Sequence, residues 1–156
     1  MPRENVWTVH ELQQSRHLRT AKEWREQAEL MRWSELISNR EPRLSLLYHC
    51  PSGELRNPRT AAKLKAMGVK PHIPDLFLPV PTRHYFDTGD RWEGYHGCYI
   101  ELKRLLGGDD GRAQLALHER LRAQGYNVVI RLGWVAAAEH LCWYLHRPDL
   151  AKELGT

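Results

Sequence analysis

Charged and apolar residues alternate in the segment Ile100-Glu101-Leu102-Lys103, which follows Tyr99. That period of two belongs to a β-strand, so Glu101 and Lys103 project from one face and Ile100 and Leu102 from the other, into apolar packing. A second apolar run, Asp75-Leu76-Phe77-Leu78-Pro79-Val80, opens on an acid 26 positions before Glu101. Pro79 ends that strand or marks it as an edge. If the two strands are neighbours, Asp75, Glu101 and Lys103 meet at one place on a sheet.

The remaining pattern supplies helices and more strands. Residues 1–20 are polar and mixed in charge, and suit either a loose arm or a short helix. From 21 to 38 the pattern is helical, with Trp24, Ala28, Met31 and Glu35 on one stripe and Leu30 and Trp33 beside it. Pro42 ends that helix. Residues 44–50 read as a strand, 59–67 as a short helix with Gly68 as its C-cap, and 81–96 as a loop or hairpin extension. A turn at 105–110 leads into a helix over 111–124; a strand over 127–132 and a helix over 134–145 follow. The order α-β-α-β-β-α-β-α predicts an α/β fold, a mixed β-sheet flanked by helices. The domain is expected to span 21–146, with 147–156 as a C-terminal tail. Trp24, Trp33, Trp134 and Trp143 sit on apolar helical stripes and are expected in the core.

A chain of 156 residues suits one domain with a real core, and a formal charge of +4 permits a polyanionic partner without requiring one. Three cysteines, Cys50, Cys98 and Cys142, argue against a disulfide framework. Neither a membrane-length apolar stretch nor a signal core is present, so a cytoplasmic protein of a cell or host is expected, with no membrane partner. His96 with Cys98, and His140 with Cys142 and His146, invite a zinc reading, but no four-ligand set is apparent. Gly107-Gly108 lacks the Gly-Lys-Ser/Thr ending of a phosphate loop. Arg56, Arg59, Lys63, Lys65 and Lys70 form a basic cluster ahead of Asp75, suited to DNA phosphates or to a solvated helix face. His72, Arg104 and Arg112 are further candidates. Trp92, Tyr85, Tyr95 and Phe86 share a loop suited to stacking on nucleotides or to a dimer interface.

Two converging carboxylates can hold Mg²⁺, which prefers oxygen ligands, and a peptide carbonyl at Leu102 can add another. Such an ion activates water and neutralises charge developing on a phosphodiester, while the Lys103 ammonium positions the water or stabilises the same charge. The bland alternative makes Glu101 and Lys103 an exposed strand pair and Asp75 a turn cap after Pro74.

The segment 68–79, Gly-Val-Lys-Pro-His-Ile-Pro-Asp-Leu-Phe-Leu-Pro, closely resembles the core motif of the VRR-NUC family of nucleases. So do Tyr99–Lys103 with the Gly-rich turn and Gln114 after it, residues 121–128, residues 134–138, and the helix of residues 57–66. The resemblance covers roughly residues 21–146. It implies a restriction-endonuclease-like PD-(D/E)xK core and metal-dependent phosphodiester hydrolysis. On that pattern Asp75 and Glu101 are metal ligands with the Leu102 carbonyl, Mg²⁺ is the ion with Mn²⁺ as a substitute, and Lys103 is catalytic. Gln114 matches the glutamine on the following helix; without the resemblance it reads as a helix-packing residue. Glu23, four residues before Gln27, fits the acid of the first helix, with Glu26 and Glu29 as competitors. Two departures stand out: Ser52-Gly53-Glu54 replaces Asn-Gly-Gly, and His72 occupies a position that is often glycine. Stand-alone members are small, phage- or bacterium-encoded and associated with branched DNA such as Holliday junctions. The expectation is therefore an endonuclease on branched DNA, working as a homodimer, with Arg56, Arg59, Lys63, Lys70, His72 and Arg104 on the DNA. The rivals are a non-cutting module of the same fold and a nuclease for linear duplex.

Overall fold

A computed structural model describes residues 23–51, 58–87, 89–103 and 111–155. Helix α1 (Glu23–Ile37) leads into a 3₁₀ turn (Pro42–Leu46) and a two-residue strand, β1 (Tyr48–His49). Helix α2 (Pro58–Ala66), strands β2 (Leu76–Leu78), β3 (Thr82–Phe86), β4 (Arg91–Tyr95) and β5 (Cys98–Lys103), and helix α3 (Arg112–Ala123) follow. The chain continues through β6 (Asn127–Leu132), α4 (Gly133–Tyr144) and α5 (Pro148–Leu154). The mixed sheet runs β1-β2-β5-β6: the first two pairings are antiparallel, while β5 and β6, joined through α3, are parallel. β3 and β4 form a separate hairpin, which fills the stretch expected as a loop or hairpin extension.

Alternation in β5 is realised as expected. Cys98, Ile100 and Leu102 join Leu76 and Leu78 in one core with Leu30 and Trp33 of α1 and Trp134 and Leu141 of α4. Fully burying one such aliphatic side chain contributes roughly 1.5–3 kcal/mol. On the opposite face Phe77 stacks on Tyr99, with centroids 4.2 Å apart, and Tyr126 meets Tyr99 edge-on at 5.4 Å. Gly97 is needed there, because a Cβ at that position would lie 2.7 Å from the Phe77 ring.

Several expectations are corrected. The strand expected over 44–50 is mostly the 3₁₀ turn: Pro42 presets its first residue, and the Glu41 carboxylate accepts the Arg43 N–H at 3.3 Å. The buried Leu44 and Leu47 are then spaced by three, not two. In α1 the inward stripe is Glu26, Leu30, Trp33 and Ser34, rather than Trp24, Ala28, Met31 and Glu35. Trp24 is 62% exposed. Trp143, also expected in the core, is 42% exposed and stacks on His84 of the hairpin at 3.9 Å. Trp33 and Trp134 are buried as expected. The segment read as a tail forms α5, packed on α4 with Leu150 and Leu154 buried. No helix among the described residues is long and apolar enough to cross a membrane.

Glu41 ties the two ends of this core together. Its carboxylate accepts from Arg43 Nε at 2.6 Å and Arg147 Nη1 at 2.9 Å, and Arg147 also donates to the Arg40 carbonyl. The Arg43 hydrogen bond is the larger cause holding Glu41 down at about 2, from an ordinary 4.5. A depressed carboxylate stabilises the fold above its unfolded value, and that contribution disappears as the pH falls from about 4.5 toward 2. Glu41→Gln is expected to lower the melting midpoint by on the order of 5 °C at pH 7, with the difference shrinking through that window in calorimetry at stepped pH.

Candidate active site

The pairing of β2 with β5 sets Leu76 opposite Ile100 and Leu78 opposite Cys98. Continuing that register by one residue places Asp75 opposite Glu101, on the same face. Directly opposed residues of an antiparallel pair have Cβ atoms about 4.5–5.5 Å apart. Asp75 is fixed from both sides. Its carbonyl accepts the Cys50 N–H at 2.7 Å and faces His49 Nδ1 at 2.9 Å, while its carboxylate oxygen Oδ2 accepts the Leu102 N–H at 2.8 Å. The acid therefore sits against the peptide that joins Glu101 to Leu102.

Glu101 is 3% and Lys103 9% exposed, and Lys103 Nζ lies 2.8 Å from Glu101 Oε1. They do pair along the strand, but they are not the exposed pair of the bland reading, nor does Asp75 merely cap a turn. Glu101 Oε2 is buried without a hydrogen-bond partner among the described residues. A buried carboxylate oxygen left so is costly, and a cation is the partner that removes the cost. The Asp75 and Glu101 oxygens are the hard donors that Mg²⁺ prefers, so the residues fit such an ion.

Gln114 lies in the first turn of α3 and is half-buried, as are Leu117 and Leu121. The wholly buried residue of α3 is His118, one turn beyond Gln114, which sequence reading passed over. Its spacing of four from Gln114 was the available signal. Glu23 opens α1, but its side chain lies outside the described residues. Glu26 turns inward at 1% exposure, and its Oε2 accepts the Trp134 N–H at 2.9 Å. It thereby caps α4, whose own N-cap Leu132 offers no side-chain bond. Burial first, and the Glu29 charge beside it, hold Glu26 above the usual carboxylate range, against the Trp134 amide.

Among the expected DNA contacts, Arg56 and Arg104 lie outside the described residues. Arg59, Lys63 and Lys65 stand exposed on α2, a helix with no buried residue. Lys70 and His72 line a cleft of about 540 Å³ with Ile73, Leu117 and Arg120. Arg112 is exposed at the start of α3. Trp92 is 61% exposed on the hairpin and packs beside Tyr85.

The zinc reading finds no support. His140 faces Asn127 Oδ1 through Nε2 at 2.7 Å and Arg131 Nη2 through Nδ1 at 2.8 Å, so both ring nitrogens are engaged. Burial, aided by Arg131, pushes it down to about 3. Among the described residues no group of three or more His, Cys, Asp or Glu is placed to hold a metal.

No family model matches the sequence, and no curated protein matches it. A solved structure described as a VRR_NUC domain protein does match. It shares 27% sequence identity and superposes with a TM-score of 0.62, covering 83% of this chain and 92% of that one. That likeness, together with the mixed sheet and the Asp75–Leu102 contact, makes the chain similar in its α/β fold to a VRR_NUC domain protein and supports a nuclease-type function.

Proposed function

We propose that the chain is a Mg²⁺-dependent DNA endonuclease that prefers branched DNA. One observation carries the reading: Asp75 bonds the peptide beside Glu101, whose second carboxylate oxygen is buried with no hydrogen-bond partner among the described residues. Asp75, Glu101 and the Leu102 carbonyl would hold the ion, with Mn²⁺ as a substitute. When bound, it supplies a lowered water pKa and positive charge at the phosphate.

The protein's own groups do the rest. Lys103, anchored by Glu101 Oε1, holds its ammonium where negative charge develops on the phosphodiester. Gln114 and Glu23 take supporting places on the family pattern. Exposed Arg59 and Lys63 hold DNA phosphates and fix its register without reading sequence. Symmetric cutting of a four-way junction requires two such sites, hence a homodimer.

The test is a labelled four-way junction and a linear duplex of equal length, each incubated with Mg²⁺ or with chelator. Metal-dependent cuts confined to the junction are expected. Tight junction binding without cuts under any divalent ion means a binding module, and sequence-specific cuts in the linear duplex mean a restriction-type enzyme.

A further inference from the structure

The cleft between the 70–73 turn and α3 has walls of two kinds. Lys70, His72 and Arg120 bring positive or proton-bearing groups, while Ile73 and Leu117 bring an apolar surface. No ion pair joins Lys70 or Arg120 to a carboxylate among the described residues. Its volume of about 540 Å³ lies in the range of small-ligand pockets, roughly 300–1,000 Å³. A duplex, whose major groove alone is about 12 Å wide, does not enter such a space.

His72 adds a second observation. Its φ is 64°, in the left-handed region where glycine sits without strain and a side chain does not. The chain therefore keeps an imidazole at the cleft at a conformational cost. His72 is also only three residues from Asp75, so the cleft opens within about 10 Å of contour from the proposed cutting site.

A base presents flat faces that stack on apolar and ring surfaces, and its phosphates seek cations. We infer that this cleft takes one unpaired nucleotide of the DNA strand next to the cut. The base lies against Ile73 and Leu117 with the His72 ring, and the flanking phosphates meet Lys70 and Arg120. This rests on the endonuclease reading and deepens it: unpaired nucleotides at a branch would be selected over continuous duplex.

Binding is measured in chelator, so that no strand is cut, by anisotropy on a duplex with a short single-stranded DNA arm and on the same duplex made blunt. The armed duplex is expected to bind about tenfold more tightly. Arg120→Ala and His72→Gly are each expected to remove most of that preference, and Arg120→Ala is expected to leave blunt-duplex affinity within about twofold. His72→Gly relieves the strained residue, so its melting midpoint should hold or rise, which excludes unfolding as the cause. A 2-aminopurine in the arm should change its fluorescence on binding to the wild type and not to Arg120→Ala. Equal affinity for the two duplexes, or an undiminished preference in both variants, overturns the inference. Junction cutting in Mg²⁺ with no arm preference sinks the nucleotide cleft alone; arm preference without cutting under any divalent metal sinks the nuclease reading and supports the cleft.

Discussion

Lys103→Met is expected to slow junction cleavage roughly a hundred- to a thousandfold, the usual cost of removing one preorganised group that stabilises transition-state charge. Methionine keeps most of the apolar stem and deletes only the ammonium. The change also leaves Glu101, 3% exposed, without the cation now 2.8 Å from its Oε1, so some loss of stability comes with it. The two effects separate under excess Mg²⁺. A bound ion restores positive charge beside Glu101 and raises the melting midpoint, but it cannot replace a group that meets the phosphate. Recovery of the midpoint without recovery of cleavage is the expected pattern. Single-turnover cutting within tenfold of the wild type would remove Lys103 from the chemistry.

The second large effect concerns the metal. A ligand that binds only the folded state stabilises it by about 2.7 kcal/mol when present at a hundredfold its Kd. For a domain of this size that corresponds to a rise in Tm of about 5–10 °C. Wild-type protein should show such a rise on adding Mg²⁺ at constant ionic strength. Glu101→Gln replaces one carboxylate oxygen with an amide nitrogen, which repels rather than binds a cation. The variant is expected to lose most of the Mg²⁺-dependent rise and to cut at least about a hundredfold more slowly. Scanning calorimetry with and without Mg²⁺ reads the first effect independently of any DNA. Equal rises in the two proteins would place the ion elsewhere.

The sequence was most legible where one period ruled a segment. β5 declared itself because charge and apolarity alternate from Ile100 to Lys103, and the same alternation set Glu101 and Lys103 on one face. The neighbourhood of Asp75 followed from the apolar run after it, and the register then brought it opposite Glu101. Legibility failed where polar groups face inward. Glu26 and Ser34 occupy the buried stripe of α1, bonded to Trp134 N and to the Met31 carbonyl, so the apolar residues alone pointed to the wrong face. α4 is apolar nearly all round, and periodicity could not single out Trp143 as its half-open position. Near Pro42 a local cap overrode strand propensity. The cleft was invisible for another reason: it joins residues from 70–73 and from α3, which only the tertiary fold brings together.

The hydrogen bond from Leu102 N–H to Asp75 has an evolutionary consequence. β2 begins at Leu76, so this carboxylate, one residue before it, serves as an added rung between the two strands. A descendant that abandoned its chemistry would still be held by folding to an aspartate or asparagine there, whereas Lys103 would be released to drift. Persistence of the lysine among homologues, and not of the aspartate, is therefore the mark of a lineage that still cuts.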